Sequence, residues 1–383
     1  MSITYKPLFH VLKPQENAQN HKIQIQSEST KETTTDQKTK LENKDNMIEF
    51  VKTYNPKLLE DFEILDFINS GSVGTFYEGR YQKGSKQKVG MKFFLNETQN
   101  EKKIKQKNEE ISYLRKLKFK YIIGLFGHLK INDYNTCAIL ELAKYGDLEH
   151  FQNKILKRKY LPETLICYLA KQILESLDYV HRIKILHSDI KQSNILIDSN
   201  LNVKLTDFSV STSYSENKLN EKIRLPFVGT GKFIAPEILE KSKVLVKDIN
   251  KVDVYSMGIV LYYLAFGTYP YDLKGVKSKE YDMILKTLKS KKELTFLEDR
   301  KISSLFSDFL KKILEIDINK RIDIRNALKH PWIRGAEIIM NEKEKVCNLE
   351  KFLVELITDN IVEFNEYISC EDEAIREKML DIS

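Results

Sequence analysis

Length, composition and charge limit the classes of protein that this chain can form. Its 383 residues are 42% hydrophobic and 31% charged, enough for one large domain or two smaller ones with buried cores. The longest apolar run, residues 254–267, predicts a buried helix because it is too short to cross a bilayer, and the N-terminus does not resemble an export signal. We therefore expect an intracellular protein, cytoplasmic or nuclear, without a membrane contact.

The net charge of +7 is unevenly distributed, at roughly +2 for residues 1–58, +12 for 59–333 and −7 for 334–383. The lysines of the basic part are scattered and lack interleaved aromatic residues, which favours a solvated surface over a specific nucleic-acid site. An acidic or phosphorylated partner stays open. The four cysteines are widely spaced and form no CxxC motif, which predicts reduced thiols rather than disulfides or zinc ligands.

The N-terminal part of the chain divides into a polar extension and a strand-rich region. Residues 14–46 contain few large apolar side chains, so we predict that the extension, residues 1–55, is largely disordered. Apolar alternation in FEILDFI, TFYEGRY and KVGMKFFL predicts three strands. A charged helix follows, in which Ile111, Leu114 and Leu117 share one face.

The rest of the chain changes from strands to helices. YIIGLFGHLK and TCAILELA predict two more strands, and after Gly146 apolar residues recur every three or four positions. The pattern predicts an α+β architecture with a strand-rich N-lobe at about 59–142 and a helix-rich C-lobe at about 143–333. No repeat with a period of about 20 to 50 residues is visible, which excludes solenoids and propellers.

A small-residue turn and two charged side chains in the N-lobe are candidates for an anion site. Gly71 and Gly74 would let backbone amides approach phosphate oxygens, although such spacing is also common in ordinary hairpins. Lys92 lies in an apolar strand, where an ammonium needs an anion unless it is an exposed edge lysine. Glu110 on the following helix is a candidate partner, and the alternative is a solvated carboxylate.

The segment HSDIKQSN is a candidate site or a merely polar loop. It places Asp189, Lys191 and Asn194 in one short turn between two apolar runs. Asp207 ends a later strand, and the spacing predicts a hairpin that brings it beside Asn194. Two oxygen ligands side by side suit Mg²⁺, which takes a few carboxylate or amide oxygens together with substrate phosphates.

These motifs, in this order, resemble the eukaryotic protein kinase family of the serine/threonine type over about residues 59–333. The matching segments are the glycine loop INSGSVGTF, the strand lysine in VGMK, the catalytic loop HSDIKQSN, the magnesium motif DFS and the later GTGKFIAPE. The resemblance implies a bilobal protein kinase fold and ATP and Mg²⁺ as cofactors. It also implies protein substrates, with transfer of the ATP γ-phosphate to serine or threonine hydroxyls.

The resemblance also implies a role for each matching position. Asp189 would take or orient the proton of the attacking hydroxyl, Lys191 would steady the γ-phosphate, and Thr230 would hydrogen-bond Asp189. Asn194 and Asp207 would carry Mg²⁺. The remaining matching positions would surround the nucleotide: Ile68, Asn69, Gly71, Gly74, Phe76, Gly90, Lys92, Glu110, Leu140, Glu141, Ala143 and Leu196. Glu237 and Arg321 would form a buried structural ion pair.

Three positions depart from the family pattern, since Asn69, Ser188 and Ser209 replace glycine, arginine and glycine. Asparagine tolerates a left-handed backbone, so Asn69 is expected to keep the turn. The arginine missing at Ser188 is the group that in many kinases pairs with a phosphorylated activation loop, so we predict activity without that phosphorylation. Two alternatives stay open: an ATP-binding pseudokinase acting as an interaction scaffold, and a kinase for small molecules.

Two further expectations concern the nucleotide slot and the tail. Phe76 and Gly90 are larger and smaller than the usual residues, and we expect them to compensate for each other in the adenine slot. In the acidic tail, residues 334–383, six apolar side chains form a helical stripe: Leu349, Phe352, Leu353, Leu356, Ile357 and Ile361. The tail is expected to pack on the C-lobe, and the alternative is an autoinhibitory or partner-binding segment.

Overall fold

The computed structural model describes residues 44–53, 55–71, 74–83, 86–95, 100–271, 277, 280–290, 294, 296–297 and 300–336. The predicted disordered extension up to residue 43 and the predicted tail helix lie outside the described residues, as do Cys347 and Cys370. Cys137 and Cys167 are buried free thiols.

The N-lobe is built on one antiparallel sheet whose strands follow the order β1-β2-β3-β5-β4. The strands are β1 (Phe62–Ser70), β2 (Thr75–Tyr81), β3 (Lys88–Phe94), β4 (Leu125–Lys130) and β5 (Thr136–Leu140). Helix α3 (Glu101–Lys116) connects β3 to β4 and buries Ile111 and Leu114, as its sequence spacing predicted. Asn100 caps its N-terminus by accepting a hydrogen bond from the Lys103 amide.

Side-chain alternation along β3 separates the two faces of this sheet. Val89, Met91 and Phe93 join the hydrophobic cluster on the outer face. Two helices contribute to that cluster, α1 over residues 44–53 and α2 (Pro56–Asp61). Because successive side chains of a strand point to opposite faces, Gly90 and Lys92 face the cleft instead. Helix α1 lies inside the predicted N-terminal extension.

The C-lobe is mainly helical, and its core continues under the N-lobe sheet through residues of α3 and β5. Its helices are α4 (Leu148–His150), which continues as a π-helical turn at Phe151–Ile155, α5 (Glu163–Arg182), α6 (Pro236–Leu239), α7 (Lys251–Phe266), α8 (Tyr281–Ser290), α9 (Ser304–Ile313), α10 (Ile324–Leu328) and α11 over residues 331–336. Helix α7 is buried on all sides, which confirms the predicted buried helix. In the described ranges, none of the helices combines the length and the apolar character that a membrane span requires.

Short strands in the loops of the C-lobe form three hydrogen-bonded pairs. They are β6 (Ile185–Leu186) with β9 (Thr212–Ser213), β7 (Ile195–Ile197) with β8 (Val203–Leu205), and β10 (Lys222–Arg224) with β11 (Lys243–Leu245). The β7–β8 hairpin is the one predicted to return Asp207 to Asn194. A five-stranded N-lobe and a helical C-lobe confirm the predicted bilobal α+β fold.

Candidate active site

The segment HSDIKQSN forms the loop between β6 and β7, and a buried carboxylate of α7 holds its start. Asp253 accepts hydrogen bonds from the backbone amides of His187, at 2.9 Å, and Ser188, at 2.8 Å. The ring of His181 lies 2.8 Å from the same carboxylate. Ser188 has a left-handed backbone, with φ of 70°, and these amide bonds hold it there. The loop is therefore attached to the most buried helix of the C-lobe.

Within this loop, Asp189 is the centre of a polar network. Its Oδ1 accepts a hydrogen bond from Thr230 Oγ1 at 2.7 Å, as the resemblance implied. Lys191 Nζ lies 2.7 Å from the other oxygen of Asp189 and donates to Thr230 Oγ1 at 2.8 Å. Asn194 Nδ2 donates to the backbone oxygen of Asp189 at 2.8 Å. Partners on both sides therefore orient the Asp189 carboxylate.

Lys92 and Glu110 form a buried ion pair across the N-lobe. Lys92 Nζ lies 2.5 Å from Glu110 Oε1, and the two side chains are 3% and 1% exposed. The rings of Phe76 and Phe94 lie 5.0 and 4.9 Å from the ammonium and favour its charge further. Burial raises the pKa of Glu110 to about 7, although the Lys92 ammonium acts to lower it. The predicted partnership is present, and the exposed-lysine and solvated-carboxylate alternatives are not.

Asp207 lies at the other side of the cleft, directly after β8. The Thr206 amide donates to the Asn194 backbone oxygen at 3.0 Å, so the hairpin brings Asp207 next to Asn194. Lys92 Nζ is 3.8 Å from Asp207 Oδ1. Burial acts to raise the pKa of Asp207, but the Lys92 ammonium and a hydrogen bond from the Ser209 side chain outweigh it and hold the pKa below its usual value. The carboxylate therefore stays ionised.

The donor atoms beside Asp207 fit a hard divalent cation. Asn194 uses its Nδ2 toward Asp189, at 2.8 and 3.1 Å from two of its oxygens, so the polar atom it has left is Oδ1. An amide oxygen and a carboxylate are ligands that Mg²⁺ accepts. Among the residues that the structure describes, no group of three or more His, Cys, Asp or Glu side chains could hold a metal. Oxygens from a phosphate-bearing ligand would have to complete the shell.

Gly71 donates its amide hydrogen to the Gly74 oxygen at 2.8 Å, and Gly74 lies beside the Lys92 side chain. A Cβ added at Gly74 would lie 2.8 Å from the Phe93 backbone oxygen and 3.3 Å from Lys92 Cε, so a side chain does not fit there. Asn69 lies in β1 opposite Phe76 and does not adopt a left-handed backbone. Asn69 therefore needs no left-handed backbone, because β1 continues through this position and the turn follows it.

The remaining predicted nucleotide positions lie where the two lobes meet. Leu140 is buried at the end of β5, and Leu196 is half-buried in β7. The Glu141 amide donates to the Gly124 backbone oxygen at 2.8 Å, and its side chain pairs with Lys204 at 2.8 Å. Ala143 follows it and is half-buried. Ile68, at the end of β1, is 46% exposed.

A comparison with known families decides the identity. The profile of the protein kinase domain matches residues 62–333. The chain belongs to the protein kinase family. Serine/threonine-protein kinase TIO of Arabidopsis thaliana is 29% identical to it over 286 residues, which make up 75% of this chain and 20% of that protein. The probable serine/threonine-protein kinase fhkA of Dictyostelium discoideum is 30% identical over 312 residues, or 74% of this chain and 51% of that protein.

Calcium-dependent protein kinase 4 of Plasmodium berghei is 28% identical over 323 residues, or 82% of this chain and 56% of that protein. This chain therefore matches between 20% and 56% of the length of these relatives. Membership of the family implies ATP, a divalent metal ion and protein substrates.

Two supporting features of this kinase were not assigned from the sequence. Asp253, which holds the loop HSDIKQSN, lies directly before the predicted buried helix of residues 254–267 and was given no role of its own. The β10–β11 ladder was not predicted, although both KIR and KVL carry β-branched residues that favour strands.

Proposed function

We propose that this protein is an active serine/threonine protein kinase that transfers the γ-phosphate of ATP to serine or threonine hydroxyls of proteins. The observation that carries the proposal is the approach of the two lobes at one point. Lys92 Nζ lies 2.5 Å from Glu110 and 3.8 Å from Asp207. At these distances one phosphate chain can contact both Lys92 and a metal ion at Asp207. The oriented carboxylate of Asp189 belongs to the same cleft.

In this proposal the cleft residues bind the nucleotide from two sides. Lys92, held by Glu110, pairs with the phosphates, and the amides of the turn around Gly71 and Gly74 approach them. The adenine edge meets the backbone at Glu141 and Ala143. The ring lies among the other predicted positions, which are Ile68, Asn69, Phe76, Gly90, Leu140 and Leu196.

Asn194 and Asp207 would hold Mg²⁺ in the same proposal. The bound metal neutralises charge on the phosphate oxygens. Asp189 accepts the proton of the acceptor hydroxyl, whose oxygen forms the new bond to phosphorus as the bond to the leaving ADP oxygen breaks. Thr230 and Lys191 hold Asp189 in the orientation for this step, and Lys191 also attracts the transferred group.

We infer further that this kinase works without a phosphate on its activation segment. Ser188 replaces the arginine that would bind such a phosphate. Hydrogen bonds support the segment instead: Ser211 Oγ donates to the His187 backbone oxygen at 3.1 Å, and Tyr214 donates through its hydroxyl to the His181 oxygen at 3.1 Å. Beyond the β10–β11 ladder, the Val246 and Lys247 amides donate hydrogen bonds, at 3.0 and 3.1 Å, to backbone oxygens of the activation segment.

Phosphate incorporation into a generic protein substrate tests the catalytic proposal. Asp189→Asn should lower turnover at least about a hundredfold, because it removes the proton acceptor. Asp133→Asn, the same exchange on an exposed loop, is the matched control. Turnover that is equal in wild type and Asp189→Asn would favour the pseudokinase scaffold.

Treatment of the purified kinase with a phosphatase tests the regulatory part. The expected result is unchanged turnover. Loss of activity, restored by a phosphate on one of the four early hydroxyl residues, Ser211, Thr212, Ser213 or Ser215, would contradict it.

An intracellular location, cytoplasmic or nuclear, belongs to the same proposal, and the buried free thiols of Cys137 and Cys167 support it. The acidic tail is proposed to pack on the C-lobe. Deletion of residues 340–383 with a comparison of catalytic rates tests that, since an autoinhibitory tail would raise the rate when removed.

A further inference from the structure

Three cations lie on one face of the β10–β11 ladder. In the antiparallel register Arg224 is directly opposite Lys243, and Lys222 lies two residues before Arg224. Side chains two apart in a strand, and those of directly opposed residues, share a face of the ladder. Ile223 and Val244 on the other face pack on the C-lobe core. The cationic strip, defined as Lys222, Arg224 and Lys243, is exposed.

The backbone ladder holds the three positive charges of the strip close together although they repel one another. Like charges directly opposite each other destabilise a strand pair. Within the described part of the chain no carboxylate pairs with any member of the strip, and the two nearest in sequence are engaged elsewhere. Glu221 pairs with Lys218 at 3.2 Å, and Glu240 pairs with Lys289 at 2.8 Å. An anion from outside would therefore relieve the repulsion.

The strip is continuous along the chain with the wall of a cavity that Asp189 also lines. Leu225 follows Arg224 and lines the same cavity as Asp189 and Thr230. Gly229, four residues further on, approaches the catalytic loop so closely that an added Cβ would lie 2.9 Å from the Ser188 oxygen. Arg224 is therefore one residue along the chain from the wall of this cavity.

From this placement we propose that the cationic strip selects protein substrates with aspartate or glutamate side chains close to the acceptor hydroxyl. The proposal rests on the proposed phosphoryl transfer and names the substrate class of that site. The register of the β10–β11 ladder fixes the spacing of the three charges. A carboxylate near the acceptor gains from all three cations, and its attraction is weakened by salt.

The test compares three serine peptides that differ only around the acceptor, with acidic, neutral or basic neighbours. The full-length wild type should show a kcat/KM about tenfold higher for the acidic than for the neutral peptide, as expected from three exposed ion pairs. The combined variant Lys222→Gln, Arg224→Gln, Lys243→Gln should reduce this ratio to about one. A matched variant at exposed positions of the far C-lobe, Lys320→Gln, Arg325→Gln, Lys329→Gln, should retain it.

Several outcomes overturn the proposal. An equal ratio in the wild type and the strip variant does so, and leaves the proposed kinase activity intact as long as the neutral peptide is phosphorylated. A preference only for phosphoserine neighbours would show that the strip reads phosphate. A preference that appears only after deletion of residues 340–383 would assign the strip to the acidic tail.

Peptide binding separates failure of the strip from failure of catalysis. If no peptide is phosphorylated, the same fluorescent peptides are titrated and their anisotropy is measured. Tighter binding of the acidic peptide by the wild type than by the strip variant still supports the strip, and equal binding refutes it.

Discussion

Removal of the Glu237 carboxylate should destabilise this kinase far more than removal of a surface carboxylate three residues later. Glu237 accepts two hydrogen bonds from Arg321, at 2.7 and 2.9 Å, and the Arg321 side chain is 0% exposed. Glu237→Ala leaves a buried guanidinium without its counter-charge, which costs about 3–5 kcal/mol. The size of this penalty follows from burial rather than from the strength of the pair itself.

Other contacts of Arg321 limit the loss without abolishing it. Its guanidinium also donates to the backbone oxygens of Glu315 and Lys251, at 2.8 and 2.9 Å, and lies 4.8 Å from the Tyr255 ring. These groups are neutral, so they satisfy hydrogen bonds but do not compensate for the full charge. Glu237→Gln, which retains an acceptor of the same shape, should therefore lose less stability than Glu237→Ala.

Thermal unfolding measures the difference. For a domain of this size, about 3–5 kcal/mol corresponds to a fall in Tm of about 6–20 °C. Glu240→Ala removes the carboxylate that pairs with Lys289 at 2.8 Å, but these side chains are 31% and 58% exposed, so the expected loss is below about 1 kcal/mol. Equal Tm shifts for Glu237→Ala and Glu240→Ala would refute the reasoning from burial.

Three further predictions concern the N-lobe. Gly74→Ala should weaken ATP binding at least about fivefold, because the new Cβ lies 2.8 Å from a backbone oxygen of β3. Gly71→Ala is the control, since the nearest atom to its new Cβ is 3.7 Å away. Equal Kd values for the two variants, measured by calorimetry, would contradict this prediction. Burial raises the pKa of Glu110 from 4.5 to about 7, so its contribution to stability is present below pH 4.5 and is lost as the pH rises through about 7. Urea unfolding across that window should show a steeper loss for the wild type than for Glu110→Gln, and parallel curves would argue against it. Val51→Ala, at a fully buried position of α1, should lower the free energy of unfolding in urea by about 2 kcal/mol. Lys52→Ala, at the exposed neighbouring position, should leave that free energy almost unchanged. Similar losses for the two variants would mean that α1 is not part of the N-lobe core.

Local elements of this kinase followed closely from the sequence. The apolar alternation of TFYEGRY predicted β2 at the residues where it occurs, Thr75–Tyr81, because a strand with one buried face must alternate. The spacing of Ile111 and Leu114 predicted the buried face of α3 for the corresponding helical reason. The hairpin between Asn194 and Asp207 was predictable because its two strands are joined by a short loop.

Features that depend on distant partners were less accessible. Met47 and Val51 have the spacing of a helix face, but the surface that buries them is the outer side of the sheet, which residues elsewhere in the chain form. Arg224 and Lys243 became neighbours through a ladder between segments that a helix separates. In both cases the partner lies far along the chain, so the local pattern does not identify it.

The sequence by itself determined the kinase family and the order of the lobes, and it singled out Lys92, Asp189 and Asp207 as candidate site residues, because these depend on residue types at short, fixed spacings. The tertiary structure decided that Lys92 comes within 3.8 Å of Asp207, that Asp253 holds the loop HSDIKQSN from 66 residues away, and that Arg224 lies directly opposite Lys243. Those distances arise from the packing of whole elements, which brings together groups that are far apart along the chain and depends on all the contacts of both lobes at once.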